Sequence, residues 1–143
     1  MLFSEAKGRK IVSTTSADTV GKVHGFVVDA DTRSVLALNV KKADSGDTLT
    51  WSNIAGFGTD AVTVTGAEQI SAADADVEAK SGKDKAILGK RVLSTGGAEL
   101  GSVKDVEFDS STGSITSIVL ESSSVPGAGL IGIGSYAVVV DKG

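Results

Sequence analysis

The stretch Val20-Gly21-Lys22-Val23-His24-Gly25-Phe26-Val27-Val28-Asp29 decides the fold, because the chain writes it twice. Leu100-Gly101-Ser102-Val103 leads in the same way through Val106 and Phe108 to Asp109. Thr32 recurs as Thr112, and the run Val35-Leu36-Ala37-Leu38 is answered by Ile115 and Ile118. A second block, Ile54-Ala55-Gly56-Phe57-Gly58-Thr59-Asp60-Ala61-Val62-Thr63-Val64, returns as Leu130-Ile131-Gly132-Ile133-Gly134-Ser135-Tyr136-Ala137-Val138-Val139-Val140. Two matching blocks in the same order mean duplicated units, and a repeat overlooked would misassign the whole architecture.

With 143 residues the length alone suggests one domain, but the repeat divides it into two small ones. A unit of under about 60 residues buries only about 60% of its unfolded surface and is marginal alone. The two are therefore expected to pack on each other or on a second chain. Apolar residues at 41% and charged ones at 22% give a globular, not a disordered, composition. The absence of Cys excludes thiol catalysis, disulfides and thiolate metal sites, and a single His excludes a His-rich metal centre. The N-terminus has no apolar signal core and no apolar run spans a bilayer, so a soluble, cytoplasmic protein is expected. A net charge of −4 argues against nucleic acid as the main partner, although Lys7, Arg9 and Lys10 form a small basic cluster.

Val, Ile and Thr between regularly spaced turn signals predict strands near 9–14, 22–29, 34–41, 48–51 and 61–65, and again near 90–94, 102–109, 114–121, 130–133 and 136–141. The turn Asp29-Ala30-Asp31-Thr32-Arg33 recurs as Asp109-Ser110-Ser111-Thr112-Gly113. Asp at its start can accept a backbone N–H two residues on, and Gly113 suits a left-handed closing position. Arg33 in the same place implies strain or a different loop. The spacing Val23, Phe26, Val28, repeated as Val103, Val106, Phe108, breaks strand alternation and predicts a β-bulge within one residue of Gly25 and of Asp105. Between the repeats, acids precede lysines in Ser71-Ala72-Ala73-Asp74-Ala75-Asp76-Val77-Glu78-Ala79-Lys80. This predicts a short helix near 71–81, capped by Ser71, stopped by Gly82 and anchored by Ile70 and Val77.

At Gly21-Lys22-Val23 through Asp29, the following hairpin, and the closing Gly58-Thr59-Asp60-Ala61-Val62-Thr63-Val64, the chain resembles the PRC-barrel family. That family is named for the cytoplasmic domain of the photosynthetic reaction centre H subunit. It also includes the C-terminal domain of a ribosome maturation factor and many stand-alone bacterial proteins. Leu49-Thr50-Trp51-Ser52-Asn53-Ile54 looks like the family's Leu-Pro-aromatic strand end, with Thr50 in the Pro position, while the second repeat has residues 122–129 at that approach. The resemblance covers about 9–65 and 88–141. It implies small barrels used as docking surfaces and brings no shared catalytic residues, and a fold of this kind hosts many roles.

Gly127-Ala128-Gly129-Leu130-Ile131-Gly132 matches the dinucleotide fingerprint by letter, but a β-run follows in place of a helix and no acid lies downstream at the required distance. The segment reads instead as a mobile loop with an exposed apolar tip at Leu130 and Ile131. His24, matched by Lys104, has no arranged partner for general-base work and reads as a rim residue. Asp29 and Asp31 are explained by the turn, since an oxygen cage for a cation needs more ligands. Ser110, Ser111 and Ser122 to Ser124 lack a base. Among the scarce aromatics Trp51, Phe57 and Tyr136, Trp51 has no aromatic counterpart in the second repeat, which makes it the first candidate for a one-sided contact.

The expected fold is all-β: two tandem small PRC-type β-barrels, 1–66 and 87–143, joined by a linker at 67–86 with a short α-helix. The expected function is a non-enzymatic binding or assembly module that docks a protein partner through barrel edges and loops, without cofactor or metal. Candidate partner-binding residues are Trp51, His24, Leu130 and Ile131. The two units are expected to form a pseudo-symmetric pair, with a homodimer as the other way to cover that surface. The alternative is an RNA- or ribosome-associated adaptor through Lys7, Arg9, Lys10, Lys90 and Arg91, whose binding would weaken steeply with salt. A small-ligand carrier or enzyme using the Gly-rich loop ranks below both.

Overall fold

Lys10-Ile11-Val12-Ser13 and Arg91-Val92-Leu93-Ser94 each bury their second and fourth residues, so both runs form half-buried strands. The structure, a computed structural model, describes residues 1–43, 46–80 and 85–141. Its N-terminal half contains α1 (Phe3–Ala6), β1 (Lys10–Ser13), β2 (Thr19–Asp29), β3 (Ser34–Lys41), β4 (Thr48–Thr50), β5 (Gly56–Phe57) and β6 (Ala61–Val64). After α2 (Ala75–Ala79) come β7 (Arg91–Ser94), β8 (Glu99–Ser102), β9 (Asp105–Phe108), β10 (Ile115–Val119), β11 (Ser124–Pro126), β12 (Leu130–Ile133) and β13 (Val138–Val140). The fold is all-β with curled sheets, and α1 and α2 are its only α-helices among the described residues.

The pairing scheme recurs. β1 lies antiparallel to β2 and parallel to β6, and β7 lies antiparallel to β8 and parallel to β13. The N-terminal strands form one sheet in the order β4-β3-β2-β1-β6-β5. The C-terminal strands form two, β11-β10-β9 and β12-β13-β7-β8, which would give the same order if β8 and β9 were continuous. The break falls at the place of the predicted irregularity. In β2 the register skips His24, between the pairs Val23↔Val40 and Gly25↔Asn39, which is the expected bulge. In the second copy the bulge becomes an interruption at Val103 and Lys104, so two short strands replace one long one.

The hairpin after β2 behaves as its sequence suggests. Asp29 Oδ1 accepts from the N–H of Asp31 at 2.9 Å, and Asp109 Oδ1 from that of Ser111 at 2.8 Å. Gly113 takes φ 81° and Arg33 takes φ 55°, so a residue with a side chain occupies the left-handed region at some cost. The linker helix is shorter than predicted. Ser71 does not cap it but pairs with Thr48; Asp74 caps it, accepting from the N–H of Val77 at 2.9 Å. The three residues ahead of Asp74, Ser71, Ala72 and Ala73, stay outside the helix because Ser71 is held in the bridge to Thr48 and does not cap it. Gly82 lies outside the described residues. Val77 packs on Val27 and Ala37 as a satellite cluster, while Ile70 enters the main core.

That main core is one cluster across both halves, with Ile11, Val23, Leu38 and Leu49 from the first and Val92, Val106, Ile118 and Val125 from the second. Aromatic rings hold the seam. Phe108, 1% exposed, meets Phe3, Phe26 and Phe57 at centroid distances of 5.4–5.8 Å, and Trp51 edge-on at 6.1 Å. Each such pair contributes about 0.5–1.5 kcal/mol beyond its buried area.

Backbone bonds close the seam at equivalent residues. Ser34 bridges Ser114, the Val35 N–H donates to Gly113 O at 2.8 Å, and the Ile115 N–H donates to Arg33 O at 2.9 Å. Exchanging each residue for its repeat counterpart turns one bond into the other, which is the mark of an isologous contact about a local two-fold axis. On the other side Leu2 bridges Glu107, and Met1 and Phe108 exchange bonds between their nitrogens and carbonyls.

Candidate functional site

The bulge at His24 and the break at Lys104 bring two equivalent residues to one groove. This cleft, about 410 Å³, lies between the halves and has Phe3, Phe26 and Ile87 in its floor. Lys7, His24 and Lys104 stand at its rim, and Leu88, 46% exposed, extends the apolar surface outward. Gly8 and Gly89 place this rim in both copies: each N–H donates to the carbonyl of the corresponding valine, Val23 or Val103, at 2.8 Å. Lys7 and Leu88 precede those glycines and so take corresponding places.

Among the described residues one carboxylate, Asp105, lines the groove, and it is hydrogen-bonded. Asp105 accepts from the Ser4 N–H at 3.1 Å, from the Ser4 hydroxyl, and from the Val106 N–H at 2.9 Å. It anchors the start of α1 to the C-terminal half and leaves the rim cationic. Among the described residues no three His, Cys, Asp or Glu side chains are placed to hold a metal ion. An apolar floor under lysines and a histidine can hold an apolar segment carrying carboxylates.

The other sequence candidates lie elsewhere. Trp51 is half-buried on the far side of the seam, stacked on Phe57 at 5.7 Å and seated over Gly113. Ile131 is 45% exposed, but Leu130 is fully buried and is not the exposed tip expected. Pairing with Val140 in β12 turns Leu130 inward, and Gly127–Gly129 form a 3-10 turn with Gly127 buried rather than a mobile loop. Arg9 drops out of the basic cluster: its guanidinium donates to the carbonyls of Gly58 at 2.8 Å and Glu5 at 3.1 Å and lies over Phe57. Lys10 is exposed on β1 and Lys7 belongs to the groove. Lys90 Nζ donates to Gly134 O, and Arg91 is held by Tyr136 and Glu99, so these cations are also engaged.

Asp29 and Asp31 hold Lys80, at 3.3 and 3.5 Å. The hydrogen bond that Lys80 donates to Asp29 and that carboxylate's charge, reinforced by Asp31, hold the Lys80 pKa above its ordinary value. This ties the end of α2 back to the first hairpin.

Sequence reasoning missed Phe3 and Ile87, whose place in the groove depends on contact between the halves. It also set residues 122–129 against the Trp51 approach without aligning them. The turn Trp51–Asn53 follows β4 as Gly127–Gly129 follows β11. Thr50 therefore corresponds to Pro126, and Trp51 to Gly127. Extending the second matched block backward from Ile54 and Leu130 would have shown it.

Among the described residues no helix is long and apolar enough to cross a membrane. Residues 79–143 match the family model of the PRC-barrel domain. No curated protein matches the chain.

Proposed function

From a chain whose residues 79–143 belong to the PRC-barrel family, we propose a non-enzymatic docking module with its partner seated in the seam groove. Residues 1–66 are a second domain of the same type, joined through 67–86; the repeated strand pairing and the equivalent turns at Arg33 and Gly113 support this reading. The occupant is a partner protein's extended segment that alternates apolar and acidic residues.

The observation that carries the proposal is the composition of the groove. Phe3, Phe26 and Ile87 offer an apolar floor, while Lys7, His24 and Lys104 face it and Asp105, the only carboxylate lining the groove among the described residues, is already bonded. Charge at the rim sets partner choice and on-rate, and the floor supplies most of the affinity.

Fluorescence anisotropy of a labelled peptide alternating leucine and glutamate tests it, with the leucine-lysine peptide as counterpart. The acidic peptide should bind more tightly, lose affinity with salt, and bind about tenfold more weakly to the Lys7→Glu/Lys104→Glu variant. Equal binding of the two peptides, or no effect of the double variant, counts against the groove as the docking site.

A further inference from the structure

The seam carries a size code that differs between the halves. At the position closing the hairpin stands Arg33 in the first half and Gly113 in the second. At the position opening the 3-10 turn stands Trp51 in the first and Gly127 in the second. Both large residues belong to one half and both glycines to the other.

These residues meet across the seam in unlike pairs. The Trp51 indole lies over Gly113, where a Cβ would sit 2.9 Å from a ring carbon. Across the local two-fold, Arg33 Nε donates to the carbonyl of Leu130 at 2.7 Å, directly after the turn that Gly127 opens. Gly127 approaches β10 of its own half so closely that a Cβ would lie 1.9 Å from Ile115 O, and Ile115 is bonded through its N–H to Arg33 O. A side chain is thus absent at the place where the counterpart of Trp51 would cover Arg33.

We infer that this seam is a heterotypic interface, on which the surface formed by Trp51 and Arg33 takes the C-terminal half of its own chain and excludes a second N-terminal half. Two N-terminal halves in the same geometry would press an indole against an arginine Cβ at both contacts. Two C-terminal halves would oppose glycine to glycine and leave the volume of the indole unfilled. The self-association open to a single duplicated unit is closed off in this chain.

Thermal unfolding of the full chain tests this. Gly113→Arg rebuilds, inside one molecule, the contact that two N-terminal halves would make, and should lower Tm by about 10 °C. Adding Trp51→Gly should raise Tm again, although Trp51→Gly alone lowers it in the wild-type chain. Gly113→Asn separates the clash from backbone strain, because Asn tolerates a left-handed conformation; it should destabilise the chain that has Trp51 and spare the Trp51→Gly chain. The proposal is overturned if Gly113→Asn has the same effect in both backgrounds. It is equally overturned if the Trp51→Gly/Gly113→Arg chain is no more stable than Gly113→Arg, unfolded chains included.

Discussion

The N-terminal half carries its second strand unbroken from Thr19 to Asp29, whereas the C-terminal half divides the equivalent run into Glu99–Ser102 and Asp105–Phe108. The cause lies one hairpin further on. The Val40 N–H reaches Asp47 O across a longer connection, while the Leu120 N–H reaches Ser123 O across a tight turn. β3 therefore runs to Lys41, but β10 ends at Val119, and the third strand no longer covers Val103. What stays constant is more telling. Val23 accepts from Gly8 and donates to Arg9, and Val103 accepts from Gly89 and donates to Lys90, so positions 24 and 104 reach the groove either way. Sheet continuity varies between the halves, and the seam that unites them is preserved.

The largest effect that could break this comparison is expected at the paired positions 51 and 127. Gly127→Ala should cost more than about 4 kcal/mol, since the new Cβ would overlap a backbone carbonyl that cannot yield. Trp51→Ala removes a half-buried ring and should cost about 2 kcal/mol, both read by denaturant unfolding. A mild Gly127→Ala would mean that the two turns are not held differently.

Phe108 and Val28 form the next pair, equivalent in sequence but unequal in place. Phe108→Ala should cost about 3–4 kcal/mol because it empties the aromatic cluster of the seam. Val28→Ala should cost about 2 kcal/mol, measured in the same way. Equal losses would remove Phe108 as the hub that joins the halves.

The smallest effect sharpens the contrast between Asp29, which holds Lys80, and its counterpart Asp109. Lys80 is more readily protonated in the folded chain than its ordinary pKa of 10.5. Its contribution is therefore full below that value and is lost as pH rises through the elevated one. Tm should fall more between about pH 9 and pH 12 in the wild-type chain than in Lys80→Gln, by a small margin for so accessible a pair. Identical pH profiles would show that the pair adds nothing.

Much of this was legible in the sequence for identifiable reasons. The repeat, the turn at Asp29 and Asp109 and the bulge at His24 are local patterns, set by spacing and by residues with fixed turn preferences. The short strands β5 and β11 were not legible, since two or three residues give no period. Leu130 misled because it lies in a glycine-rich run, while its burial comes from pairing with Val140 and from a core reached only through the fold. His24 and Lys7 were legible as groove residues only in part: His24 read as a rim residue and Lys7 as part of a basic cluster, but the floor of Phe3, Phe26 and Ile87 is assembled by the seam.

The central claim is that the two halves form one body locked at the seam, without which there is no groove. Hydrogen exchange at the Val35 and Ile115 amides, the two reciprocal seam bonds, tests it most directly. The account predicts equal protection at the level of global unfolding, lost together in Phe108→Ala. Both seam amides exchanging far faster than the strand amides inside each half would contradict it, because the halves would then separate without unfolding.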